Sequence, residues 1–242
     1  LNADWVAATA LSGQLYVDMM DLPGDLDSFL ADYMTNTRAE DFDQDLVDCA
    51  GFQESGVSNN NRVICRHKAG NYCWVSYDFA SSEGDKNILE NPTGFIEAAD
   101  GGEAFCSMRN GQQAYYISDV DGTYLEEAPV DVVFDHNADA AVVQNAISCV
   151  RCHSKGVIPK NDEILDAVTD YTIYTEEEEE TVRGWFTPNE ELAELYQDDQ
   201  DDFMESGLEL GMDPDVDFEE ETEPVYLLFK DHDESLDTQR AA

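Results

Sequence analysis

Positive charge is what this chain has least of. Across 242 residues there are 12 Lys and Arg against 55 Asp and Glu, a formal charge of −43. Binding to nucleic-acid phosphates needs clustered basic side chains, so no nucleic-acid partner is expected. Attraction to anionic membrane surfaces is missing for the same reason. Long hydrophobic runs are missing too: no stretch of 18 or more apolar residues occurs, which leaves no membrane span to predict. No signal peptide and no internal repeat is visible. Because the chain starts at Leu1 rather than Met, an upstream piece is expected to have been removed or left out.

Histidine is scarce, with four in the chain, and cysteine numbers six. Three of these ten residues fall together in Cys149-Val150-Arg151-Cys152-His153. Two cysteines two residues apart, followed at once by histidine, form the attachment signature of a c-type haem. Thioether bonds from the sulfurs to the vinyl groups would place the porphyrin edge over the turn, with the adjacent imidazole under the iron as its proximal ligand. A redox Cys-x-x-Cys pair or half a zinc site is the competing reading. Zinc would require a second close ligand cluster, and the sequence shows none. One covalent haem c is therefore expected, held by Cys149 and Cys152 and ligated by His153.

The remaining cysteines, Cys49, Cys65, Cys73 and Cys106, allow two disulfides with three connectivities, or four buried thiols. Together with covalent haem they suit an oxidising compartment, so a periplasmic or extracellular location is expected. Acidity spread along the whole chain keeps a protein hydrated and dispersed in concentrated salt, where self-repulsion is screened. A halophilic or marine host is the favoured cause. Calcium binding by surface carboxylates and docking to a cationic redox partner compete with it.

The hydrophobic pattern divides the chain into three parts of one domain, residues 1–242. Residues 1–55 read as helical: an amphipathic helix over 3–20 stopped by Asp21-Leu22-Pro23-Gly24, a short helix through Leu26, Phe29, Leu30 and Tyr33, then an acidic, indistinct stretch over 35–50. Residues 56–130 read as an antiparallel meander, with strands at 62–67, 72–79, 103–108, 113–118 and 123–126. Asp119-Val120-Asp121-Gly122 resembles the start of a calcium loop but fits a hairpin turn better. Residues 131–242 read as helical and haem-bearing, with 138–148 leading directly into the motif, and further helices over 162–174, 189–210 and 225–242. Glu176 to Glu180 reads as a solvated loop or a helix start. The fold class expected is α+β.

A six-coordinate iron needs a second axial ligand, and His or Met is the usual donor. The candidates are His67, His136, His232 and the six methionines. On a strand, Val63, Cys65 and His67 share one face, so His67 is either a satisfied core histidine or the ligand. His136 is close in sequence to the haem helix, His232 lies in a polar string, and Met108 alternates with core positions. Pro159 marks the neighbourhood of a carbonyl suited to accept the proximal imidazole N–H, or is a turn residue. Trp74, Tyr77 and Phe79 line the haem pocket or are plain core.

Ser55-Gly56-Val57-Ser58-Asn59-Asn60-Asn61-Arg62, the Arg66-His67 pair, Tyr72 to Phe79, Asp100-Gly101-Gly102-Glu103, Asn110 to Tyr115 and Ile147 to Ser154 together resemble a bacterial family of large single-haem c-type cytochrome domains. The start of the chain and the segments around Glu223-Pro224-Val225 and 236–242 are similar as well. The resemblance implies a secreted or periplasmic haem protein, and it makes His67 the proposed distal ligand and weakens Met108. The chain departs from the family at Ala98 and Ala99, where a His is common. It also departs in carrying Cys65, Cys73 and Cys106, and in its acidity. The function expected is one-electron transfer by a bis-His monohaem cytochrome with redox-protein partners. The alternatives are a peroxidase-like haem enzyme with an open iron site, a self-assembling subunit of an extracellular cytochrome assembly, and a haem-based sensor.

Overall fold

The computed structural model describes residues 6, 9–135, 142–213, 215 and 224–233. It is a mixed α and β structure built on a five-stranded antiparallel sheet, consistent with α+β. Helices α1 (Gly13–Met20), α2 (Leu26–Ala31) and α3 (Arg38–Asp43) precede β1 (Val47–Phe52), β2 (Arg62–His67) and β3 (Cys73–Asp78). Helix α4 (Phe95–Ala98) then leads to β4 (Gly101–Ser107) and β5 (Gln113–Asp119). The helices α5 (Ile147–Cys152), α6 (Ile164–Asp170), α7 (Glu176–Trp185), α8 (Asn189–Glu209) and α9 (Pro224–Asp233) follow. The strands pair in chain order, β1-β2-β3-β4-β5.

Strand β1 begins in the indistinct stretch 35–50 and lies within the part, 1–55, expected to be helical. Its one carboxylate, Asp48, separates Val47 from Cys49, and buried side chains on both sheet faces leave no clean alternation. Just before it, Thr37 and Glu40 form a reciprocal capping box that starts α3, which satisfies two backbone N–H groups a short helix would otherwise leave open. Thr175 and Glu178 do the same for α7, so the glutamate run at 176–180 is a helix start. Carboxylates in a first turn also complement the helix dipole.

The expected strand over 123–126 is reduced to isolated bridges, Asp25 with Thr123 and Ser118 with Tyr124. Asp119 Oδ1 accepts from the N–H groups of Asp121 and Thr123 at 3.0 and 2.8 Å. With Gly122 at φ 80°, this is a turn closed by its own carboxylate. The helix expected over 3–20 is described from Gly13, and that over 225–242 within Pro224–Asp233; the remaining residues of both lie outside the described ones, apart from Val6 and residues 9–12 ahead of α1.

The sheet has two buried faces. One packs Val63, Cys65, Cys73, Val75 and Tyr77 under α2, α3, α4, α6 and α7 in the main core. The other carries Ala50, Ile64, Trp74 and Phe105, packed against Val157 and against Leu192 and Tyr196 of α8. Both disulfides, Cys49–Cys65 and Cys73–Cys106, join residues directly opposite each other on neighbouring strands. Each closes a loop that in the unfolded chain would be free, worth about 2–4 kcal/mol. Among the described residues, no helix is long and apolar enough to cross a membrane.

Candidate functional site: a cleft at the Cys-x-x-Cys-His motif

The motif does not sit at the end of a long helix. After the described residues resume, Gln144 bridges to Glu127, and Ala146 adopts φ 63°, ψ −59° with Ile147 N–H donating to Asn145 C=O at 2.9 Å. That is a γ-turn of positive φ, a strained conformation for a residue with a Cβ. The turn is held from outside: Asn145 Nδ2 donates to the Tyr115 carbonyl and the Tyr124 hydroxyl. Helix α5 therefore begins at Ile147, spans six residues and ends at Cys152. Residues 136–141, part of the helix expected over 138–148, lie outside the described residues.

Cys149, Cys152 and His153 open together on one cleft of about 870 Å³, part of it open to solvent. Phe52, Ile64, Trp74, Phe105, Val143, Val157 and Ile158 supply apolar walls, and Arg62, Glu103, Asp135 and Lys160 supply charge. The His153 ring lies 5.2 Å from Phe105 and 6.2 Å from Tyr115, centroid to centroid.

His153 Nδ1 is 3.0 Å from the Gly156 carbonyl oxygen. A carbonyl only accepts, so Nδ1 carries the proton and Nε2 keeps its lone pair. Burial pushes the imidazole down to about 4, with Arg62 adding to the fall and the Gly156 bond opposing it. A neutral ring with a free Nε2 is the form that ligates a metal. Burial also raises both thiols, Cys149 well above the ordinary range. Redox Cys-x-x-Cys nucleophiles need the opposite shift, so this environment disfavours that reading. Among the described residues, no three His, Cys, Asp or Glu side chains converge as metal ligands. A zinc site, which needs four, has no set here; iron held in a porphyrin takes only one or two protein ligands.

The structure does not bring His67 to this cleft. In β2, Arg62 and Ile64 line the cleft, and side chains alternate faces along a strand, so His67 belongs to the opposite face with Val63 and Cys65. There it is fully buried. Its Nδ1 lies 3.1 Å from Asp41 Oδ2, and the edge of Phe42 is against its ring. The sheet separates it from His153, which removes it as the distal ligand of iron at this site. Tyr77 is on the same far face, in ring contact with Phe42 and Phe95, and does not line the cleft. Phe79 lies in that core as well, and Met108 packs at its edge. Trp74 is in the cleft wall. Pro159 is not, although Ile158 and Lys160 on either side are; the carbonyl facing the imidazole belongs to Gly156. His136 lies outside the described residues, as does the side chain of His232.

The far side of Trp74 is tied to α8. Arg66 Nε and Nη2 donate to Asp199 Oδ2 and Oδ1, both at 2.9 Å, and Trp74 Nε1 donates to Oδ2 at 2.8 Å. Trp74 stacks on Tyr196. A buried carboxylate with three charge-assisted or neutral donors is satisfied, and loss of any partner is costly. Asp199 recurs with Leu192, Tyr196 and Phe203 on the buried stripe of α8. In a helix this acidic, the spacing was its one signal. Phe105 had a signal too: it alternates with Ala104 and Cys106, and so faces away from the core. Arg62 and Glu103 had only their strand positions.

Comparison with protein-family models, with curated proteins and with solved structures finds no match for this chain.

Proposed function

We propose that the protein is a single-haem c-type cytochrome that transfers one electron at a time outside the cytoplasm. The observation that carries the reading is the convergence of Cys149, Cys152 and His153 on one largely apolar cleft. When bound, haem supplies one-electron Fe(III)/Fe(II) chemistry. The chain's own residues do the rest. Cys149 and Cys152 hold the group by thioether bonds, and His153 presents Nε2 while Gly156 fixes its tautomer and ring plane. Ile64, Trp74, Phe105 and Val157 keep water from the wall of the site. Two disulfides support the extracytoplasmic location. The acidic surface suits a cationic redox partner, whose approach it would accelerate at low salt.

The test is expression with a haem-attachment system, followed by denaturing electrophoresis with haem staining. Haem that stays on the denatured chain supports the reading. A chain that carries none overturns it.

A second reading, an open iron site that binds peroxide or a small gas, is favoured by one observation. Among the described residues, the cleft lining contains no second histidine and no methionine. The ferric spectrum separates the two. A low-spin haem indifferent to cyanide and azide favours electron transfer, and a high-spin haem that binds both favours the open site.

A further inference from the structure

The charge balance on the cleft floor is uneven. Arg62 Nε donates to Asp78 Oδ1, and Arg62 Nη2 lies 3.6 Å from Glu103 Oε1. Nη2 is buried and makes no hydrogen bond. Two carboxylates thus share one guanidinium, with side chains 3% (Asp78), 20% (Glu103) and 11% (Arg62) exposed. Ser76 Oγ donates to Asp78 Oδ2 at 2.8 Å and accepts from the Glu103 N–H at 2.8 Å. Strands β3 and β4 approach this closely because position 102 is glycine: a Cβ there would stand 2.1 Å from the Ser76 carbonyl oxygen.

One excess negative charge in a buried cluster favours a bound proton. Burial pushes the Asp78 carboxyl up to about 6, Glu103 adds to the rise, and Arg62 and Ser76 oppose it. The other charges nearby are already balanced or lie across the cleft. Asp100, whose N–H donates to the Asp78 carbonyl, pairs with Lys86. Asp135 pairs with Arg151, and Lys160 sits beside Phe52. The cluster acts electrostatically on the motif: Arg62 on His153, Glu103 on both thiols.

We infer that Asp78, held with Glu103 on the guanidinium of Arg62, is a proton site coupled to the oxidation state of the cleft. The inference rests on the cytochrome reading above. On reduction, one electron arrives from a donor protein and one proton from water, and the proton binds the Asp78 carboxylate. On oxidation both leave. The added electron makes the cleft more negative and so raises the carboxyl's affinity for the proton; by linkage, the protonated cluster favours the reduced state.

Redox titration of the haem-loaded protein from pH 5 to 8, read by absorbance, tests this. The expected result is a midpoint potential that falls as pH rises through about 6. At its steepest the change approaches tenfold in the oxidised-to-reduced ratio per pH unit, about 59 mV for one electron. Asp78→Asn should flatten the profile. Glu103→Gln keeps Asp78 but removes one carboxylate charge, and should move the falling segment to lower pH. A wild-type profile that is flat, or a slope unchanged in both variants, overturns the inference. A chain that takes up no haem overturns the cytochrome reading instead. Infrared titration of that chain then reads the proton site alone: a carboxylic acid band that titrates near pH 6 and vanishes in Asp78→Asn supports it, and absence of the band overturns it.

Discussion

Along β2, Val63, Cys65 and His67 are sealed into a core of aromatic and aliphatic side chains, while one residue away Arg62, Ile64 and Arg66 face a cleft and its supporting helix. The two faces treat polar groups differently. On the core face, polar groups are walled in by apolar side chains: His67 meets Asp41 through Nδ1 and Phe42 at its ring while its Nε2 makes no hydrogen bond, and four cysteines are used up in disulfides. On the cleft face, charged and reactive groups border open space: Arg62, Cys149 and Cys152 line the cleft, and neither thiol is in a disulfide. The alternation of a strand is enough to separate a structural polar group from a functional one. A histidine in a plausible sequence context can thus stand on the wrong side.

The largest expected effect strikes the cleft face. Cys149→Ser with Cys152→Ser abolishes covalent haem, read by haem staining of the denatured chain. His67→Ala, by contrast, leaves the ferric and ferrous spectra as in wild type. A change from low to high spin in His67→Ala would place that histidine on the iron and undo the assignment of faces.

Next in size is Asp199→Ala, which strands Arg66 and the Trp74 indole without their acceptor. Breaking a buried charge pair from one side costs about 3–5 kcal/mol, measurable by urea denaturation. Retained stability would show that α8 is not anchored through this carboxylate.

On the core face, Cys49→Ala with Cys65→Ala should lower stability by about 2–4 kcal/mol. The absorption spectrum of the haem protein should not move, because the bridge points away from the cleft. A spectral shift would mean the faces communicate.

The smallest effect is a pH dependence. Burial lowers the His67 imidazole below its ordinary range, against the pull of Asp41. The unfolded chain takes up that proton near pH 6.5, and the folded chain only below it. The stability contributed by neutral His67 is therefore full above about pH 6.5 and is lost as pH falls through that range. Urea midpoints of wild type and His67→Gln at pH 7.5 and 5 should show a smaller acid loss in the variant. Equal losses would make His67 a bystander.

Much of the sheet was legible because β2, β3, β4 and β5 carry β-branched and aromatic residues between turn residues such as Asn110-Gly111. Strand β1 was not, because both its faces are covered and alternation, the usual signal, is lost. The Cys-x-x-Cys-His motif was legible because its chemistry demands contiguous residues. The wall around it comes from β2, β3, β4 and the segment after the motif, and contacts between distant residues leave no local pattern. The γ-turn at Ala146 gave no sign at all, since no glycine or asparagine marks the positive φ.

The register of the sheet has a further consequence, for the chemistry of six thiols in one chain. Cys49 faces Cys65 and Cys73 faces Cys106 as direct partners on adjacent strands, and all four precede the motif. In the folded sheet each of these thiols is bonded to the residue directly across from it. The register therefore sorts the cysteines: four are oxidised to each other and withdrawn from exchange. Cys149 and Cys152, carried on a helix outside the sheet, have no cysteine across from them and stay out of both bridges.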